Sequence, residues 1–113
     1  MPKSYSCLMG LAGNNDLLKE FKRRADAALP GRVARVILFG SRARGEATRD
    51  SDWDLAVFLT GAPTARDRGA LSDAAYDLLL ERGQLIQPIA IAAHRLDDGT
   101  LFLRRIRQEG ITV

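Results

Sequence analysis

An apolar run stops at a glycine, a polar stretch follows, and a second apolar run opens with two aspartates. The order is Val33 to Phe39, then Gly40-Ser41, ten further residues, Asp52-Trp53-Asp54 and Leu55 to Leu59. A β-branched run of this length bounded by glycine reads as a buried strand. Strand side chains alternate, so Asp52 and Asp54 share one face while Trp53, Leu55, Val57 and Leu59 share the other. Two carboxylates on one face repel each other, which is costly unless a cation sits between them. The abrupt change from acid to apolar places the start of this strand at a surface cleft.

The remaining elements follow from periodicity. Leu17, Leu18, Phe21, Ala25, Ala28 and Leu29 recur at helical spacing, with Asn15 or Asp16 as N-cap and Pro30-Gly31 as the stop. Ser41 to Thr48 reads as one short helical piece and Arg49-Asp50-Ser51 as a turn into a strand from Asp52 to Leu59. A helix from about Thr64 to Arg82 carries a Thr64/Asp67 capping box, with Leu71, Ala75, Leu78 and Leu79 inside and Gly83 as C-cap. Leu85 to Ala93 is a third strand. Pro88 interrupts it, which predicts an edge strand or a bulge. A last amphipathic helix through Leu103 and Ile106 stops at Gly110, and Ile111-Thr112-Val113 can add a terminal strand. The order predicts an α/β (α+β) fold, a small mixed β-sheet with helices packed on it.

At 113 residues the chain has room for one domain, expected over residues 16–113, after an N-terminal extension over 1–15 that is expected to be poorly ordered. Cys7 is the only cysteine, so no internal disulfide can form. The apolar residues around Leu8 to Leu11 are too few for a secretory or membrane segment, which makes the cytoplasm the expected compartment and argues against a membrane role. A net charge of +3, with bases and acids alternating along the chain, gives no basic face and no expectation of direct nucleic-acid binding.

The polar stretch carries the chemistry. Gly40-Ser41 follows a strand and opens a helix, the context in which backbone N–H groups meet phosphate. It is not a Walker A loop, because no Gly-Lys-Ser/Thr ends it. Mg²⁺ takes oxygen ligands and binds one or two carboxylates together with substrate phosphates, which suits Asp52 and Asp54.

Gly-Ser, ten residues and Asp-x-Asp is similar to the signature of the polymerase-β-like nucleotidyltransferase superfamily, and the flanking residues resemble its minimal nucleotidyltransferase (MNT) branch from about Leu17 to Val113. The resemblance implies the nucleotidyltransferase fold. It implies that Gly40 and Ser41, with Arg44 and Ser51, bind the triphosphate of a nucleoside triphosphate such as ATP. Asp52 and Asp54 would be metal-binding and catalytic, holding Mg²⁺, and Arg42 would be a catalytic cation, with Arg44 and Arg49 as other candidates. The superfamily usually carries a third carboxylate on the next strand; here that position is Gln87, which cannot take a proton. Glu81 and His94 are the nearest alternative bases in sequence. The implied function is an antitoxin that binds and adenylylates a tyrosine of a HEPN-domain toxin. The alternatives are a catalytically weak or inactive protein that neutralises its partner by binding, and a small-molecule adenylyltransferase of the aminoglycoside type. A homo-oligomer is compatible with all three.

Overall fold

The computed structural model describes residues 15–48 and 50–113. The expected extension up to residue 14, Cys7 within it, and Arg49 lie outside the described residues. The elements are α1 (Asn15–Ala28), β1 (Val33–Phe39), α2 (Ser41–Arg44), β2 (Trp53–Leu59), α3 (Ala65–Arg82), β3 (Ile86–Ala92), a 3₁₀ turn (Ala93–Asp97), α4 (Leu101–Glu109) and β4 (Ile111–Thr112). The sheet order is β3-β2-β1-β4. β1 is antiparallel to both β2 and β4, whereas β2 and β3 are parallel, which requires the α3 crossover between them.

β3 is an edge strand, as Pro88 demands. The register irregularity of the sheet lies between Val33 and Arg35 in β1, not at Pro88. Helix α1 already contains Asn15 and Asp16, so neither is the N-cap, and Ala28 is exposed while Leu29 is buried. α2 ends at Arg44, four residues short of expectation, because Gly45 takes the left-handed conformation (φ 75°) there.

Both faces of the sheet are covered. Val36, Leu38, Trp53, Leu55, Val57 and Leu59 pack with Leu18, Phe21, Leu71 and Leu78 of α1 and α3. Ile37, Ala56, Phe58 and Ile91 pack instead with Leu103 and Ile106 of α4. β2 is therefore buried on both sides, and each fully buried large apolar side chain contributes about 1.5–3 kcal/mol. Ion pairs stitch α1 to α3: Arg24 donates to both oxygens of Glu81 at 2.8 Å, and Arg82 meets Asp16 at 2.9 Å. Hydrogen bonds from Arg23 and Arg24 push the Glu20 carboxyl down to about 2.

The turn from β2 into α3 is fastened by Asp67, a charged side chain buried at only 5% exposure. Its Oδ2 accepts from Thr64 N at 2.9 Å, and Thr64 Oγ1 accepts from Asp67 N at 3.1 Å, which completes the capping box with Asp in place of Glu. Arg32 Nη2 lies 2.5 Å from the same carboxylate and also reaches the Ala62 carbonyl oxygen, while Nη1 donates to the Thr60 carbonyl oxygen. The Thr64 backbone bond first, then Arg32, hold Asp67 below the usual carboxylate range. A carboxylate lowered in the folded state stabilises above its unfolded pKa and loses that contribution as pH falls through the folded value. Asp67→Asn should therefore lower Tm at neutral pH, with the gap to wild type closing on acidification below the ordinary aspartate range. Thermal melts across that range check this, and a gap independent of pH would refute it.

Candidate active site

The site begins where β1 leaves the sheet. Gly40 has φ 78° and ψ −159°, and a Cβ there would lie 2.6 Å from Asp54 Oδ2. The residue must be glycine for two reasons, the backbone angle and the carboxylate pressed against its Cα. Gly40 O accepts from the N–H groups of Ala43 (3.1 Å) and Arg44 (3.2 Å), which closes the single turn of α2. One turn sums few peptide dipoles, so an anion at this turn would have to be met by individual N–H groups and the Ser41 hydroxyl.

The two aspartates straddle the beginning of β2. Trp53 between them is 1% exposed and points into the core, its Nε1 donating to Gln84 Oε1 at 3.1 Å and its backbone N–H to Leu85 O at 2.9 Å. Asp52 and Asp54 thereby stay on the opposite side. Burial, then the neighbouring charge of Asp52, raise Asp54 above the usual carboxylate range. The register aligns Phe39 with Asp54 across the antiparallel pair and Asp54 with Gln87 across the parallel pair. Paired residues share a face, so Phe39, Asp54 and Gln87 form a row across three strands. Gln87 Nε2 donates to Asp52 Oδ2 at 2.5 Å. The residue aligned with the third acid does sit beside the carboxylate pair, as an amide donor.

The surrounding cations are engaged. Arg42 lies over the Trp53 ring, 3.9 Å from its centroid, while Nε and Nη2 donate to Ser51 O at 3.0 and 2.7 Å. Burial lowers its pKa and the Asp52 charge opposes that shift. Arg44 pairs with Glu46 at 2.9 Å and with Glu109 of α4 at 3.5 Å. Ser51 Oγ accepts from Thr48 N at 2.9 Å, tightening the loop before Asp52. The structure thus gathers Gly40, Arg42, Ser51, Asp52 and Asp54 at one end of β2. Glu81 is committed to Arg24, and His94 lies beyond the opposite end of β3. The Arg42–Trp53 stack and the Trp53–Gln84 bond have no sequence signal, because they join residues 11 and 31 apart without a motif.

Among the described residues there is no group of three or more His, Cys, Asp or Glu that could hold a metal. Two carboxylates, one of them strained by burial and a like charge, form a hard oxygen donor set. That set fits one divalent cation that fills its shell with water and phosphate oxygens. It does not fit a second cation, since Gln87 adds no negative charge.

The chain matches the nucleotidyltransferase domain family over residues 15–107. It is 31% identical, over 87% of its own length and 96% of the relative's, to a candidate protein adenylyltransferase of Methanocaldococcus jannaschii. A candidate nucleotidyltransferase of Sulfolobus solfataricus superposes with a TM-score of 0.65 at 23% identity, covering 95% of this chain and 85% of that one. A toxin–antitoxin pair solved with AMP-PNP gives a TM-score of 0.60 at 20% identity, covering 88% and 71%. Family match, fold and the Gly40-Ser41 to Asp52-x-Asp54 spacing agree: the chain belongs to the nucleotidyltransferase domain family and is a nucleotidyltransferase.

Proposed function

We propose that the chain transfers AMP from Mg-ATP to a tyrosine hydroxyl of a HEPN-domain toxin and acts as that toxin's antitoxin. The observation that carries this reading is the packing of Asp54 against the Gly40 Cα, which sets the carboxylate pair beside the one segment suited to phosphate. The relative's name supplies the protein acceptor, and the toxin–antitoxin pair with a bound ATP analogue supports the nucleotide and the partner. Asp52 and Asp54 would hold the cation, which supplies charge neutralisation at the phosphates. Gly40 and Ser41 would orient the triphosphate, with Arg44 free to turn from Glu46 and Glu109 towards it. The acceptor oxygen forms a bond to the α-phosphorus, the bond to pyrophosphate breaks, and the hydroxyl proton leaves to a base.

Among the described residues no third carboxylate stands beside Asp52 and Asp54; the neighbouring side chain there is Gln87. Gln87 favours a second reading, in which the protein neutralises its partner by binding and transfers AMP slowly or not at all. A tyrosine hydroxyl has an unperturbed pKa near ~10 and stays protonated at neutral pH without help. In the first reading the proton acceptor comes from the partner or from solvent.

Incubation with Mg²⁺, ATP labelled at the α-phosphate and a HEPN-domain partner separates the readings. Labelled partner supports transfer; a tight unlabelled complex supports binding alone. Asp52→Asn with Asp54→Asn should abolish labelling and leave the complex intact, and residual labelling would move the site elsewhere. Because Asp54 is strained in its charged form, Asp54→Asn should keep or raise Tm while losing activity. Gln87→Glu should raise the transfer rate by about 10- to 100-fold if a missing base limits it. An unchanged rate would show that another step is limiting. Gly40→Ala should displace Asp54 and weaken Mg-ATP binding in calorimetry.

A further inference from the structure

On the α4 side of Gly40 lies a groove of about 210 Å³ lined by Phe39, Gly40, Arg44, Phe102, Arg105 and Glu109. Phe102, on the first turn of α4, meets Phe39 edge-to-face with centroids 5.4 Å apart and planes at 89°. It is nevertheless 44% exposed, so ring surface not used by Phe39 faces solvent. Phe39 itself stands next to Asp54 in the row across the sheet. An open aromatic ring, packed on the residue that precedes Gly40 and sharing its groove with two guanidinium groups and a carboxylate, is a setting for a flat, hydrogen-bonding heterocycle. Stacking serves its π-face, and Arg105 as donor and Glu109 as acceptor can meet its edge. The groove is smaller than a pocket for a whole drug-sized ligand, which fits one part of a ligand whose remainder lies over Gly40.

We propose that this groove is the nucleobase subsite, with Phe102 as its stacking platform and Arg105 and Glu109 at the base edge. The assignment rests on the nucleotide reading above and extends it. Base and triphosphate would then lie on either side of Gly40, with the Arg44–Glu109 pair at the junction between them. Gln87, at the other end of the row, leaves the β3 edge for the acceptor.

The test compares two probes on the full chain with Mg²⁺: AMP-PNP, which carries a base, and inorganic tripolyphosphate, which does not. Phe102→Ala should weaken AMP-PNP binding by about 10-fold and leave tripolyphosphate binding unchanged. Phe102→Tyr should retain affinity for both. Leu101→Ala, an exposed apolar neighbour that does not line the groove, should behave as wild type. In Phe102→Trp, AMP-PNP but not tripolyphosphate should quench the added indole emission, read against the same titration of the parent chain with its Trp53. Equal weakening of both probes by Phe102→Ala, or no weakening of either, overturns the subsite and leaves the nucleotide reading standing. Failure of the wild-type chain to bind either probe overturns both.

Discussion

The burial of Trp53 is the interaction on which the site depends. A large indole, fixed in the core between two aspartates and bonded to Gln84, dictates which way its neighbours face. It also sets the height of the loop, since Arg42 lies over the same ring and donates to the Ser51 carbonyl. The carboxylates inherit their direction from the buried indole, and Gln87 adds a hydrogen bond to Asp52. The cost of keeping Asp54 charged beside Asp52 in a partly buried place is offset by the two-sided burial of the strand that follows.

How much of this was legible in the sequence varies with the kind of interaction. The strands, the long helix from Thr64, its Thr64/Asp67 cap and the edge-or-bulge choice for β3 were readable, because periodicity, capping chemistry and a proline that cannot donate are local properties; that β3 runs parallel to β2 was not. The pairing of Asp52 with Asp54 was readable from alternation alone. The position of Gln87 came from family resemblance, and its bond to Asp52 gives that alignment a physical meaning. The extent of α2 was misjudged because Gly45 could be read as a point of close approach or as a stop, and only its left-handed angle decides. Phe102 gave no signal. It is one apolar residue among several at helical spacing, and its relation to Phe39 needs the chain to return from 63 residues away.

The site is asymmetric in charge. On one side of the row stand the aromatic pair, Arg44 and Arg105; on the other stands a neutral amide at an open sheet edge. On the proposed reading, one divalent cation at Asp52 and Asp54 would leave the acceptor side without a carboxylate base, so the rate would depend partly on what the acceptor brings. The proposed reading thus separates two tasks: nucleotide binding by this chain and a proton acceptor from a second protein.

Pro88 carries one more consequence. It stands in the middle of the outermost strand, beside the exposed Ile89, where an unpaired backbone invites another strand to add on. Without an N–H at that position, a continuous ladder along this edge is interrupted. A strand zipped along this edge would meet a gap at Pro88. The proline thus guards an open edge from inside the strand itself, making it a poor template for sheet-to-sheet joining without a charged residue or a covering helix.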